Sequence, residues 1–210
     1  MKYWETDHFI PLPWQNVACG YWWRYPNPFS KHVFSVDTLE SRIDGDKLYS
    51  KRLIIKTNPL PSWGKHFFNA RKVAVIEEVI IDRDQNTLVW YTRNIGLTVF
   101  MATVERVTLS EEQNGTGVRK QCWIDSSILG FRSAIKKFGL DRYKKNCGPA
   151  TKGLQMVVEE KFNKDIVPNS IQNNTESSSK IKHVDFNQSG LICENVSLTL
   201  DVKETTGNTT

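Results

Sequence analysis

Basic side chains at particular positions of this sequence predict a binding site for an anionic group. Arg24 ends a segment, residues 14–24, that is otherwise largely apolar. A guanidinium at such a position presents two parallel N–H donors, which match the oxygens of a phosphate. The same position also fits a structural arginine that pairs with a core carboxylate or caps backbone carbonyls. Both interpretations remain open from the residues alone.

Two further sets of polar residues share a face of a predicted element. Arg52, Ile54 and Lys56 alternate along a strand, so they lie on one side of it. Two basic residues on either side of an apolar one suit a pocket wall that contacts an anion. A solvated outer face of the sheet fits this pattern equally well. Lys56 directly precedes a long loop, which favours it over Arg52. Arg142 and Asn146 are four residues apart in a helical region and also share a face.

The segment 57–70 breaks both the strand and the helix periodicities, yet it is rich in large apolar residues. Trp63, Phe67 and Phe68 lie in it, with Lys65 between them. A loop of this length inside a compact domain is usually functional. We expect a lid that dips into an anionic membrane interface and covers a pocket, with fixed packing on the sheet as the alternative for Trp63.

The periodicities around these residues predict an α+β domain. Turn signals separate about seven strands, at 2–10, 32–43, 47–56, 72–82, 87–94, 98–109 and 118–127. An apolar stripe predicts a helix over 14–24, and a longer one predicts a C-terminal helix from Ile128 to Phe162 with a kink at Pro149. A curved antiparallel sheet packed on one long helix is a helix-grip arrangement, with a natural pocket between the two layers.

Charge and composition limit the classes of function. Residues 1–163 contain 24 Lys and Arg against 17 Asp and Glu, a net charge of +7, whereas residues 164–210 contain 4 against 6. The basic part should attract an anionic partner, and a nucleic-acid-binding module is one alternative. The amino-terminal residues predict neither a secretory signal nor a transit peptide, and no apolar run predicts a membrane span.

No spacing of reactive residues predicts catalysis. The sequence contains no motif that sets a nucleophile beside a base, and Glu77 and Glu78 fall on opposite faces of a strand. The four cysteines lie far apart, without a spacing typical of zinc. We therefore expect a protein that is not an enzyme and that uses neither a metal nor another cofactor.

Several blocks of the sequence resemble the PRELI/Ups family of mitochondrial lipid-transfer proteins. The longest block is residues 21–33, Tyr-Trp-Trp-Arg-Tyr-Pro-Asn-Pro-Phe-Ser-Lys-His-Val. Shorter blocks follow in the same order along the chain: Arg52-Leu53, Pro61-x-Trp63, Tyr91-Thr92-Arg93-Asn94, Val104-Glu105 and Phe138-Gly139-Leu140-x-Arg142-Tyr143. The resemblance covers residues 1–163 as a PRELI-type lipid-transfer domain. Residues 164–210 are polar and are predicted to be a disordered tail.

The resemblance implies a function and a set of site residues. It implies a START-like fold and the transfer of a phospholipid across the mitochondrial intermembrane space. The signature is similar to that of phosphatidic-acid carriers that support cardiolipin synthesis, and a sister subgroup carries phosphatidylserine. It also implies a heterodimer with a small helical protein that has twin Cys-x9-Cys motifs. Headgroup contacts are implied for Arg24, Arg142, Asn146 and His32, although His32 fits a structural histidine equally well.

Overall fold

A computed structural model of the protein describes residues 1–57 and 72–162. Every described residue belongs to one compact unit, Met1–Lys164. The predicted tail therefore lies outside the described residues. So does the predicted lid, with Trp63, Lys65, Phe67 and Phe68.

The described residues contain seven strands in one antiparallel sheet. The strands are β1 (Lys2–Ile10), β2 (Val33–Asp44), β3 (Lys47–Thr57), β4 (Lys72–Asp82), β5 (Thr87–Asn94), β6 (Ala102–Glu112) and β7 (Gly115–Asp125). Their spatial order is β1-β7-β6-β5-β4-β3-β2, so β1 and β2 form the edges. Gly45 in the turn between β2 and β3 adopts a φ of 57°, which glycine reaches without steric cost.

Two α-helices accompany the sheet. The first, α1 (Trp14–Gly20), is shorter than predicted because the chain tightens into a 3-10 turn over Tyr21–Trp23. The second, α2 (Arg132–Phe162), begins four residues later than predicted. Its start follows Gly130, which has a φ of 78°, and this left-handed residue ends the preceding loop. Pro149 lies within α2.

Small residues allow the long helix to approach the rest of the domain closely. A Cβ added to Gly139 would lie 2.6 Å from Met101 Sδ and 3.1 Å from Ile124 Cγ2, so a side chain there would require both neighbours to shift. A Cβ on Gly20 would overlap the side chain of Val158, where α1 meets α2. The helix is thus held against β7 at one end and against α1 at the other.

The block Tyr25-Pro26-Asn27-Pro28 makes a compact corner under α2. The Tyr25–Pro26 peptide bond is cis. Asn27 is buried, its side chain donates to the carbonyl of Arg24 at 2.5 Å, and it accepts from the amide of Phe29 at 2.8 Å. This corner turns the chain from α1 into β2 and fixes the backbone of Arg24 beside the sheet.

The architecture is the predicted α+β helix-grip fold, with a seven-stranded antiparallel sheet and one long C-terminal helix. Within residues 1–57 and 72–162, no helix has both the length and the apolar character needed to cross a bilayer.

Candidate functional site: a cationic cavity between the sheet and the long helix

Two adjoining cavities lie between the sheet and α2. The larger has a volume of about 220 Å³ and the smaller about 100 Å³. His32, Lys56, Glu105 and Lys120 line both of them. The larger cavity also contacts Arg142 and Asn146 of α2, and the smaller contacts Arg24 and Glu77. The space predicted between sheet and helix is therefore present, and it is polar at one part of its wall.

Arg24 is buried and paired with a carboxylate of the sheet. Its guanidinium donates to Glu77, whose side chain is fully buried in β4. The hydroxyl of Tyr21 donates to the other oxygen of Glu77 at 2.5 Å. Burial opposes the charge on Arg24, but the carboxylate of Glu77 beside it holds the pKa of Arg24 well above its usual range. The structural interpretation of Arg24, pairing with a core carboxylate, describes this contact.

Arg52 belongs to the same buried group. It is 5% exposed on the inner face of β3, and its Nη1 lies 3.5 Å from Oε1 of Glu77. Its guanidinium also lies over the rings of Tyr21 and Trp22, about 5.3 and 5.2 Å from their centroids. The solvated outer face considered for Arg52 is wrong, because this side chain points inward. Arg24 and Arg52 share the single carboxylate of Glu77, so this group of three residues carries a net charge of +1.

Among the cations that line the cavity, Lys56 is the most available to a ligand. It lies near the end of β3 on its inner face, and among the described residues it makes neither a hydrogen bond nor an ion pair closer than 4 Å. Burial lowers the pKa of Lys56, and the carboxylate of Glu105 partly offsets this, whereas Arg142 adds to it. A buried ammonium without a close counter-ion is costly, so the site favours an incoming anion.

Glu105 and Lys120 complete the polar wall. Glu105 accepts from the hydroxyl of Tyr143 at 2.6 Å and from Thr92 Oγ1 at 3.2 Å. Lys120 is 5% exposed, and its Nζ donates to the carbonyl of Cys147 on α2 at 2.9 Å. Burial lowers the pKa of Lys120, and Glu105 again opposes that shift. The carboxylate of Glu105 therefore lies near both lysines.

His32 and Arg142 line the same space. Burial lowers the pKa of His32, and the nearby cations Lys56 and Arg142 lower it further. Burial also lowers the pKa of Arg142. Asn146, one turn further along α2, is exposed at the edge of the larger cavity. We call His32, Lys56, Glu105, Lys120 and Arg142 the cationic cluster.

The two cavities bring together five of the six headgroup residues predicted from the sequence. His32, Lys56, Arg142 and Asn146 line the larger cavity, and Arg24 lines the smaller one. Arg52 lies behind them in the ion pair with Glu77 and is absent from the described lining of both cavities. The headgroup-binding role of each remains a prediction.

Three polar residues of the site were not predicted: Glu77, Glu105 and Lys120. A signal for them exists in the sequence. Each occupies an inward position of a strand that is otherwise mostly apolar on that face, as Lys120 does between Val118 and Cys122, both buried. A charged residue in the apolar half of an alternating strand is rare unless it is paired, so it indicates a buried polar site.

Solved structures of other proteins share this architecture. The chain superimposes on TTHA0849 from Thermus thermophilus with a TM-score of 0.55 and 16% identity, covering 77% of this chain and 99% of that one. It also matches the di-domain ARO/CYC StfQ from the steffimycin biosynthetic pathway with a TM-score of 0.52 and 13% identity, over 77% of this chain and 51% of that one. These likenesses define the class: a START-like helix-grip protein with a cavity under its long helix.

The sequence defines the family within that class. Residues 15–165 match the PRELI-like family. PRELI domain-containing protein 1, mitochondrial, is 37% identical over 164 residues in Gallus gallus, covering 75% of this chain and 76% of the relative. The human protein of that name is 34% identical over 165 residues, covering 75% of each. Protein UPS1, mitochondrial, of Saccharomyces cerevisiae is 26% identical over 161 residues, covering 74% of this chain and 92% of the relative. The chain belongs to the PRELI-like family.

Proposed function

We propose that this protein is a phospholipid carrier, not an enzyme, and that it moves phosphatidic acid between the outer and inner mitochondrial membranes to support cardiolipin synthesis. The observation that carries the proposal is the ammonium of the half-buried Lys56, which faces the cavity without a close counter-ion among the described residues. Support for mitochondria comes from relatives whose names include that organelle.

The two ends of a phospholipid set different demands. Two ordinary acyl chains hold about 30 CH₂ groups, and at roughly 0.8 kcal/mol each their passage through water costs on the order of 25 kcal/mol. A carrier lowers this cost by enclosing the chains, and buried side chains such as Val75, Phe100 and Ile124 give the cavity an apolar wall. The phosphate needs paired charges in the same space, which the cationic cluster supplies.

Charge favours phosphatidic acid over other headgroups. Among the described residues, and leaving Arg142 aside, Arg24, Arg52, Lys56 and Lys120 oppose the two carboxylates of Glu77 and Glu105 at the adjoining cavities. Two positive charges are therefore in excess there when His32 is neutral. A phosphate monoester has a second pKa of about 6 and approaches two negative charges at pH 7. A phosphodiester carries one. The cluster therefore matches the terminal phosphate of phosphatidic acid.

Phosphatidylserine is the second candidate, and one observation favours it. Glu105 is a carboxylate inside the cationic cluster, within reach of the cavity. Such a group can accept the ammonium of a serine headgroup while the lysines contact its phosphate. The nucleic-acid alternative gains no such support, because the cations of the cluster face a cavity and not an open surface.

The carrier works at anionic membrane surfaces without spanning them, in the intermembrane space. Its expected partner is a small helical protein with twin Cys-x9-Cys motifs, which forms a heterodimer with it. These expectations come from the family resemblance, and a pull-down of the full chain with candidate partners of that class tests them.

A transfer assay between liposomes tests the proposed function. Donor vesicles carry a fluorescent phosphatidic acid, phosphatidylserine or phosphatidylcholine, and the cysteine-rich partner is present. The wild-type chain should transfer phosphatidic acid fastest. Lys56→Gln should slow that transfer by about tenfold, since one charge-assisted hydrogen bond contributes about 1.5–3 kcal/mol.

The matched control is Lys51→Gln. Lys51 lies on the same strand with its side chain on the opposite face, where it pairs with Glu78 at 3.9 Å. It should leave every transfer rate unchanged. Equal transfer of all three lipids by the wild type, or no transfer, would contradict the proposal.

A further inference from the structure

Four large apolar side chains are exposed on two neighbouring loops at one end of the sheet. Ile95 and Val99 belong to the β5–β6 loop, and Leu129 and Phe131 belong to the loop between β7 and α2; their exposed fractions are 50, 61, 79 and 45%. The two loops are joined, because the amide of Ser127 donates to the carbonyl of Val99 at 3.0 Å. We call these four residues the apolar rim.

The rim lies next to the larger cavity. The β5–β6 loop turns one side inward, where Gly96, Leu97 and Met101 line the cavity. It turns the other side outward, where Ile95 and Val99 face solvent. The loop is held in this form by the Asn94 side chain, which donates to the carbonyls of Gly96 and Met101 at 2.7 and 2.9 Å. The wall of the cavity and the rim are therefore two sides of the same small loop.

Exposed arginines flank the rim in the sequence. Arg93 and Arg132 are exposed and directly border the two loops in sequence. Asp125 is the acidic residue closest to the rim along the described chain, and it is already paired with the amino group of Met1 at 3.2 Å and with Lys136 at 3.7 Å. Exposed apolar residues bordered by cations suit an anionic lipid surface, where the apolar groups enter the acyl region and the cations contact headgroups.

We propose that the apolar rim is a membrane-docking surface, which inserts into an anionic leaflet and brings this end of the cavity to the bilayer. The inference rests on the proposed function and concerns residues other than Trp63, Phe67 and Phe68. It commits to a lipid surface. With the rim inserted, acyl chains pass from the leaflet into the cavity without full exposure to water.

Vesicle co-sedimentation of the full chain tests this docking surface. The probes are phosphatidylcholine vesicles with and without phosphatidylserine, and the variant is Val99→Asp with Leu129→Asp. Both side chains are exposed, so the fold should survive. Vesicle binding should weaken at least about tenfold, since burial of each apolar side chain contributes a factor of that order. Transfer between liposomes should slow in parallel.

A matched control separates the rim from apolar exposure in general. Ile43 is 78% exposed on β2, beside the turn at the opposite end of the sheet. Leu39→Asp with Ile43→Asp removes two exposed apolar side chains of β2 and adds the same two negative charges as the rim variant. It should bind vesicles like the wild type.

A water-soluble, short-chain phosphatidic acid separates this inference from the proposed function. It reaches the cavity without docking, so calorimetry should give equal affinities for the wild type and the rim variant. If neither the wild type nor the rim variant bound this lipid, the proposed function itself would be contradicted. Unchanged vesicle binding by the rim variant would overturn the docking surface alone. The docking surface would also be overturned if the rim variant still bound vesicles but no longer bound the cysteine-rich partner, because the rim would then be a protein interface.

Discussion

The guanidinium of Arg24 and the carboxylate of Glu77 form an ion pair inside the domain, although the residues are 53 positions apart. Arg24 follows α1 and Glu77 lies in the middle of β4, so the pair ties the amino-terminal helix to the sheet. Both side chains also line the smaller cavity. An anion that enters this cavity meets an arginine that is already neutralised.

This pair should show strong energetic coupling in a double-mutant cycle. Glu77→Gln leaves two buried guanidinium groups without a carboxylate and should lower the free energy of unfolding by about 3–5 kcal/mol. Arg24→Gln should cost less, because Arg52 still pairs with Glu77. The double variant should cost clearly less than the sum, because Arg24 is then no longer left without its carboxylate and only Arg52 is. Denaturant unfolding of the four proteins measures the coupling, and additive losses would show that the two groups do not interact.

The same pair changes how Arg24 can be tested. A headgroup contact at Arg24, as the family resemblance implies, predicts that charge reversal there abolishes transfer and leaves the fold intact. With Glu77 beside it, Arg24→Glu places two carboxylates together in the interior, with the guanidinium of Arg52 as their nearby cation. Lys56 is a better probe of headgroup binding, since its ammonium has no ion-pair partner among the described residues to leave behind.

Replacing Lys120 should separate ligand binding from stability. Lys120→Met keeps a similar length and removes a buried charge, and the Cys147 carbonyl that it contacts still accepts from Thr151 Oγ1 at 3.1 Å. Stability should stay equal or rise, because removal of a desolvated cation offsets the lost hydrogen bond. Affinity for short-chain phosphatidic acid should fall by at least about tenfold. Calorimetry and thermal unfolding measure the two effects.

Arg119→Gln is the control for that experiment. Arg119 is the neighbour of Lys120 on β7, faces outward, and donates to Asp7 at 2.9 Å. Its loss should change neither affinity nor stability appreciably. Equal affinity in Lys120→Met and the wild type would remove Lys120 from the site.

His32 should report the arrival of an anion. Burial, with Lys56 and Arg142 nearby, lowers its pKa below the usual value near 6.5. A phosphate beside it should raise that pKa, because the anion stabilises the imidazolium. NMR titration of the imidazole with and without short-chain phosphatidic acid measures the change. An unaltered pKa would indicate that the ligand binds away from His32.

The lowered pKa of His32 also sets the sign of a pH effect on stability. Just below pH 6.5 this histidine is protonated in the unfolded chain but still neutral in the folded protein. The free energy of unfolding should therefore decrease as pH falls through this window. His8 contributes in the same direction, since burial lowers its pKa too. His32→Gln should make the decline shallower, as followed by urea unfolding between pH 7 and pH 5.

Local pattern predicted the elements of the fold better than their ends. The strand predicted over 87–94 coincides with β5, because its alternation and flanking turns are unambiguous. The predicted start of α2 was wrong by four residues, because the apolar period continues through a loop that Gly130 and the contact of Ser127 with Val99 hold outside the helix. Periodicity alone does not distinguish an apolar loop from a first helical turn.

The partners of the site residues could not be predicted in the same way. The sequence places Arg24 beside an apolar helix and leaves open whether it binds a ligand or a carboxylate. That choice depends on Glu77 in β4, which only the three-dimensional arrangement brings to it. Lys120 and Glu105 were not predicted although their inward positions follow from strand alternation, because alternation does not show which inward charges share a cavity.

Native mass spectrometry of the chain after incubation with mixed phospholipid vesicles tests the central claim most directly. The wild type should carry one phospholipid per chain, enriched in phosphatidic acid. Thr103→Trp is the matched variant, because Thr103 lines the cavity of about 220 Å³. The hydrogen bond that Thr103 donates to Asn94 Oδ1, at 2.8 Å, comes from its backbone N–H and so does not depend on the side chain. That variant should fold and remain free of lipid. A folded wild type that carries no phospholipid, or a variant that carries as much, would contradict the account.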